Sequence, residues 1–252
     1  MRRDTCLVLG GMGCVGSALA AVLHDAHEVY VCDTKDANGT LLPPAGTDID
    51  FLHVAIPWGG QFMNIVRETA LRYMPNHTIV HSTVPVGTTR QLGINAVHSP
   101  VRGQHDSLEC GLRTFIKYVG AQTQAAGLAA YRHLYEAGFR VEFMSSPEAT
   151  EAAKLLCSFR YLNDLAFYQW VETQAANWGV DPQEVLLQWT ESYNRGYAGT
   201  KFVRPQLDFP HGKVGGTCVM PNSRIVYGLT QSRFVERALE LFGETPVNNS
   251  EQ

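Results

Sequence analysis

The seven residues Gly10 to Gly16, GGMGCVG, restrict the fold of this chain more than any other stretch. Three glycines at the spacing GxGxxG (Gly11, Gly13, Gly16) carry information only where a strand turns sharply into a helix. The flanks supply that context. Thr5 to Leu9 is apolar and partly β-branched, and Ser17 to Leu23 is rich in alanine and leucine in the manner of a helix. The three glycines then provide a tight turn, room for a pyrophosphate, and close packing of helix on strand, with the helix N-terminus facing the phosphates. Glu28 to Cys32 reads as the next strand and ends at Asp33. A carboxylate there can accept hydrogen bonds from both ribose hydroxyls and would repel a 2′-phosphate, so the expected cofactor is NAD rather than NADP.

Further along, Asp33 to Asp50 holds Gly39, Pro43, Pro44 and Gly46 and reads as a loop. Strands are expected at Phe51 to Ile56, capped by Pro57, at Thr78 to His81, at Ala96 to His98, at Thr114 to Val119 and at Arg140 to Met144. Surface helices are expected near Gln61 to Tyr73 and Gln122 to Ala137. The fourth strand runs into STVPVGTT, Ser82 to Thr89. Strand ends of this kind lie where open α/β sheets bind ligands. The alternation predicts a Rossmann-like, doubly wound, mainly parallel sheet over residues 1–145.

At Ser145-Ser146-Pro147 the texture changes. Ser146 suits an N-cap, Pro147 suits the first helical position, and no glycine or proline follows until after Trp178. Residues 146–252 therefore read as a smaller all-α domain around a long helix, about 148–178, roughly 45 Å in length. Its apolar residues, among them Leu155, Phe159, Leu162, Leu165 and Val171, occupy much of the circumference. A second copy of the chain is the economical cover, and the expected assembly is a homodimer through this helix. Asp181-Pro182 starts another helix, a polar loop over 195–222 delivers Cys218, a closing helix spans 223–242, and the residues from Glu244 on read as a disordered tail.

Net charge decides against some partners. At −4 over 252 residues, the chain gives no reason to expect nucleic acid or an anionic membrane surface. Its six cysteines are scattered, with no CxxC pair and no zinc-ligand spacing, as expected of reduced thiols in a cytoplasmic protein. Arg2-Arg3 before an uncharged run imitates a signal peptide. The glycines of the nucleotide loop explain that run better, and no targeting segment is expected.

Two residues outside the glycine loop suggest chemistry. Cys218 follows a Gly-Gly pair in KVGGTCVMPN (Lys213 to Asn222) and opens a helical segment, the setting of a nucleophile; a glycine turn with a small buried cysteine fits the stretch equally well. Lys154 interrupts a nearly uncharged helical run and shares a face with Ser158, four residues on, so the two could address one ligand atom. A solvated lysine paired with Glu151 is the alternative. His77 and His81 have the spacing of a helical metal pair. On a strand, though, their rings would stand roughly 13 Å apart, and no metal is expected. Among the loop cations Arg102, Lys201, Arg204, His211 and Lys213, only Arg102 and Arg204 are candidates for an anionic substrate.

The ordered set GGMGCVG, Asp33, VAIPW (Val54 to Trp58), STVPVGTT, HSPVRG (His98 to Gly103), EAAKLLCS (Glu151 to Ser158) and VGGTCVMPN resembles the UDP-glucose/GDP-mannose dehydrogenase family across almost the whole chain. The resemblance implies NAD-dependent oxidation of a sugar-like or nucleotide-sugar-like alcohol through a cysteine-linked intermediate. It further implies Cys218 as nucleophile, Lys154 at the oxyanion and Thr83 near the nicotinamide and the reactive water. Ser158 and Asn222 stand at catalytic positions. Gly11, Met12, Gly13, Val15, Gly16, Asp33 and Pro57 would bind NAD together with Thr83. The sequence departs from the family's pattern in having Ser158 for an asparagine, Asn222 for an aspartate, and Val101-Arg102 where a glutamate follows Ser-Pro. It ends about thirty residues after Cys218, as expected of a short member without the C-terminal nucleotide-sugar-binding domain. A single-step hydroxy-acid-type dehydrogenase and a catalytically silent NAD(H)-binding protein are the alternative functions.

Overall fold

The computed structural model describes residues 3–33, 42–103, 107–210 and 218–244. His211, Lys213, the Gly215-Gly216 pair, residues 34–41 of the expected loop and the tail from 245 lie outside the described residues. The chain divides into two compact units, Met1–Lys154 and Leu155–Gln252.

The first unit is a seven-stranded sheet in the order β2-β1-β3-β4-β5-β6-β7. Its strands are β1 (Thr5–Leu9), β2 (Glu28–Cys32), β3 (Phe51–Val54), β4 (His77–Val80), β5 (Ala96–His98), β6 (Ile116–Ala121) and β7 (Arg140–Met144). All neighbouring pairs are parallel except β5 and β6. The central strands β1 and β3 are buried along their whole length, so both faces must be covered by helices. Helices α1 (Cys14–Leu23), α3 (Leu108–Thr114) and α4 (Gln124–Glu136) cover one face, packing on Val8, Phe51, Ile79, Val97 and Val119. Helix α2 (Phe62–Tyr73) covers the other through Phe62 and Val66 against Leu7, Leu52 and Val80. Side chains alternate between faces along each strand, which is why neighbouring residues of β1 serve different layers. Each such side chain contributes about 1.5–3 kcal/mol when fully buried.

Helix α5 (Pro147–Trp178) begins where its sequence signals place it, with Ser146 Oγ accepting from Ala149 N at 3.2 Å and Pro147 as first helical residue. The second unit packs Leu155, Phe159 and Leu162 of α5 against Met220, Val226 and Tyr227 of α7 (Val219–Thr230) and Val235 and Leu239 of α8 (Arg233–Glu240). The architecture is thus a Rossmann-like sheet domain followed by a smaller all-α domain with a long central helix.

Two local expectations change, and one short helix, α3, is added to them. The single closing helix over 223–242 is two helices: Gln231 takes the left-handed conformation (φ 48) and Ser232 caps α8, turning the chain so that both helices reach the same core. The helix expected after Asp181-Pro182 opens with a π-helical stretch, Gln183–Gln188, before α6 (Trp189–Gly196). The short helix α3 carries too little periodic sequence to announce itself.

Candidate active site

The turn between β1 and α1 is held tightly. Gly10 has φ +84, a conformation that side chains disfavour, and a Cβ on Gly11 would overlap the Val31 side chain. A Cβ on Gly16 would stand 2.7 Å from Gly11 Cα, so α1 approaches the turn as closely as backbone allows. Gly13 is different. An added Cβ would meet only Gly10 O among the described residues, at 3.3 Å, a tight contact but milder than those at Gly11 and Gly16, and its other side is open. Gly13 is also the N-cap of α1, with no side-chain cap and no acidic residue in the first turn, which leaves the helix's positive end unneutralised by its own side chains. Asp33 follows β2 directly, and its Oδ2 accepts from Met12 N at 3.1 Å, fixing the carboxylate beside the loop. Val15 is half-buried, while Met12 and Pro57 are exposed at the same carboxyl edge of the strands. These features together fit a dinucleotide, with the helix end toward a diphosphate and Asp33 toward a ribose.

Thr83, half-buried, follows β4 in the STVPVGTT segment. That segment is fastened at several points. Ser82 Oγ donates to Ile56 O at 2.6 Å, and His98 Nε2 faces Ser82 O at 3.1 Å while its Nδ1 faces Thr150 Oγ1 at 2.8 Å. The strongest fastening comes from a residue that sequence reasoning assigns elsewhere. Glu151, fully buried, accepts from Gly87 N at 2.6 Å and from Thr89 N at 2.8 Å. One turn earlier, Glu148 takes an ion pair from Arg90 at 2.5 Å, and this partner holds its carboxyl down to about 2. Glu151, which the sequence offers only as an alternative partner for Lys154, thus ties the start of α5 to the loop after β4. Lys154 itself is half-buried, one turn further along the helix.

In the second unit Cys218 occupies the N-cap position of α7, and Asn222 N donates to Cys218 O at 3.0 Å in the helix's first turn. Asn222 is buried, and its Nδ2 donates to Ser158 Oγ at 3.0 Å. Two of the positions at which the sequence departs from the resembled family are thus hydrogen-bonded partners. Both candidate loop cations are exposed and lie over aromatic rings, Arg102 on Phe115 at 5.3 Å and Arg204 on Tyr193 at 3.9 Å.

Spacing along the chain offers no metal set, yet folding gathers Cys6, His53 and His133, and separately Asp4, His27 and His133, with their polar atoms within 4.8 Å. Both ring nitrogens of His53 and of His133 already have hydrogen-bond partners, so we read these groups as hydrogen-bonded. The hint of a polar cluster inside the sheet that the sequence does carry is Lys117, a buried lysine two residues before buried Val119 on the same strand. A cleft of about 800 Å³ lined by Asp48, Asp50, Arg72, Tyr73 and Asn76 opens at the amino ends of β3 and β4, away from the glycine loop.

No protein-family model matches the chain, and no curated protein matches it either. Solved structures do. A UDP-D-ManNAc dehydrogenase from Pyrococcus horikoshii aligns over 95% of this chain and 68% of its own at 15% identity, TM-score 0.77. A UDP-glucose dehydrogenase from Pyrobaculum islandicum aligns over 96% and 68% at 17% identity, TM-score 0.73. UDP-sugar and GDP-mannose dehydrogenases are among the structural neighbours. The likeness is one of fold, and those chains are longer than this one. A 3-hydroxyisobutyrate dehydrogenase from Mycobacterium tuberculosis, solved with L-serine, also aligns, over 96% of this chain and 93% of its own at 16% identity, TM-score 0.71.

Proposed function

We propose that the chain is an NAD-dependent oxidoreductase acting on the CH–OH group of a sugar-like or nucleotide-sugar-like substrate, with Lys154 and Cys218 at its reaction centre. The observation that carries the reading is the glycine turn with Asp33 fixed against Met12 N, which suits a dinucleotide without a 2′-phosphate. A bound NAD supplies the hydride acceptor. In this reading residues 1–145 hold the cofactor and residues 146–252 supply the nucleophile. Lys154 offers a cation to the substrate oxygen as charge develops on it, and Cys218 Sγ adds to the aldehyde carbon. Thr83, on the STVPVGTT segment that Glu151 fastens, is assigned in this reading to the neighbourhood of the nicotinamide and the reactive water. Asn222 cannot act as a base, and its amide is committed to Ser158.

That last contact favours a second reading, a single-step dehydrogenase without covalent catalysis, and a 3-hydroxyisobutyrate dehydrogenase is among the chains of similar fold. Counting NADH formed per substrate consumed separates the two. Two NADH, falling to one in Cys218→Ala, supports the covalent route; one NADH in both proteins selects the single step. In either case Lys154→Ala is expected to lower kcat about 10²–10³-fold. NADH binding with no turnover on alcohols or aldehydes removes both. The reading also includes a homodimer through α5, whose Phe167, Trp170 and Trp178 are exposed; a monomeric mass in solution scattering excludes it.

A further inference from the structure

The face of the sheet that α1, α3 and α4 cover carries a row of polar side chains among its apolar ones. Asp4 Oδ2 meets His133 Nδ1 at 2.8 Å, and His133 Nε2 meets His53 Nε2 at 3.0 Å. His53 Nδ1 meets His81 Nε2 at 2.9 Å, and His81 Nδ1 meets Lys117 Nζ at 2.9 Å. His53, His81, His133 and Lys117 are 0–3% exposed, whereas the Asp4 side chain is 32% exposed. Asp4 precedes β1 at the amino edge of the parallel strands. Lys117 lies near the start of β6, which runs antiparallel to β5, and so stands at the carboxyl edge, the edge of the glycine loop.

Proton bookkeeping along this row has two complete solutions. In the first, Asp4 is a carboxylate, His133 carries its proton on Nδ1, His53 and His81 carry theirs on Nε2, and Lys117 is an ammonium. Its three protons then meet three acceptors, His81 Nδ1 at 2.9 Å, Ser99 O at 2.5 Å and Pro100 O at 3.0 Å. In the second, Asp4 is protonated and donates to His133 Nδ1. His133 then carries its proton on Nε2, His53 and His81 carry theirs on Nδ1, and Lys117 is a neutral amine. Every bond in the row keeps one proton in both. Four protons each move across one hydrogen bond to convert one into the other, and no imidazole has to hold a second proton.

We propose that Asp4, His133, His53, His81 and Lys117 form a proton relay through the sheet, joining the buried carboxyl edge to solvent at the amino edge. The surroundings keep the two states close in energy. The exposure of Asp4 favours its carboxylate, whereas Ser99 O, 2.8 Å from His81 Nδ1, favours a proton on that nitrogen. Burial pushes His53 and His81 well below the usual histidine range, and burial, opposed by Asp4, brings His133 to about 4, so each ring holds one proton. Burial, helped by the charge of Lys154, also lowers Lys117 well below the usual lysine range, which eases its release of a proton. The other groups facing the row are His27, stacked on His133 at 4.0 Å with Nε2 at His133 O, Cys6 Sγ, 3.7 Å from His133 Nε2, and Asp50 and His98 nearby. Burial pushes the Cys6 thiol up, so it adds no charge.

The relay rests on hydrogen-bond geometry; only its use, carrying away the proton that each alcohol oxidation releases, rests on the dehydrogenase reading. Nitrogen-15 spectra of the histidine rings test it without substrate. In Lys117→Met, His81 Nδ1 keeps only Ser99 O as partner, and His53 is expected to carry its proton on Nδ1. In Asp4→Ala, the Lys117 ammonium still donates to His81 Nδ1, and His53 is expected to carry its proton on Nε2. Opposite assignments at His53 in the two proteins support the relay, and the same assignment in both overturns it. Asp4 is half-exposed, so Asp4→Ala keeps the test decisive if Lys117→Met does not fold: a proton on His53 Nδ1 in that variant overturns the relay. Loss of the relay with NADH binding intact leaves the dehydrogenase reading standing, and intact relay signals without NADH binding do the reverse.

Discussion

Gly16→Ala is expected to cost more than about 4 kcal/mol and to leave little folded protein, because the new methyl group would lie 2.7 Å from Gly11 Cα, backbone that no rotamer change can move. The damage falls on the packing of α1 against the β1 turn, which also shapes the proposed phosphate site. Whatever protein survives is therefore expected to bind NADH at least about 100-fold more weakly, a penalty of roughly 2.7 kcal/mol, by fluorescence titration. Gly60→Ala is the matched control. Nothing lies within 4 Å of an added Cβ there, and its effect should stay within about 0.5 kcal/mol. Near-wild-type stability and NADH affinity in Gly16→Ala would mean that the turn does not serve as described.

The second large effect is expected at Glu151. Removing its carboxylate in Glu151→Ala leaves the N–H groups of Gly87 and Thr89 without their acceptor, at about 1–3 kcal/mol each. A loss of about 3 kcal/mol lowers the melting temperature by about 6–12 °C. Glu151→Gln keeps one acceptor oxygen and should lose about half as much. Hydrogen exchange should locate the change at residues 85–90, since the other strand ends keep their own fastenings. Equal losses in the alanine and glutamine variants, or faster exchange spread over the whole sheet, would show that Glu151 acts through packing alone.

Both effects depend on features that differ in how openly the sequence displays them. The glycine turn was legible because its information is local: GxGxxG, a β-branched run before it, an alanine-rich run after it and an acid at the end of the next strand all lie within about thirty residues. The start of α5 was legible for the same reason, since Ser146 and Pro147 act on the residues beside them. Glu151 was visible only as a neighbour of Lys154 on one helix. Its partners, Gly87 and Thr89, are over sixty positions away, and no periodicity connects them. The break between α7 and α8 was missed because nothing in Thr230-Gln231-Ser232 forbids a continuous helix. The left-handed turn at Gln231 is selected by the core that both helices share.

By itself, then, the sequence determined the alternating α/β plan, the glycine turn with Asp33 beside it, and the long helix after Ser146, because each follows from residues within one or two turns or strands of one another. Tertiary structure alone decided what faces what. It joined Ser158 to Asn222, gave Glu151 to the loop after β4, and drew His53 and Lys117 from two strands, His81 from just beyond β4 and His133 from a helix into one buried row. The physical reason is that a strand's alternation says only that a side chain points inward. Which polar partner it meets there is set by sheet order and register, and these come from packing the whole unit.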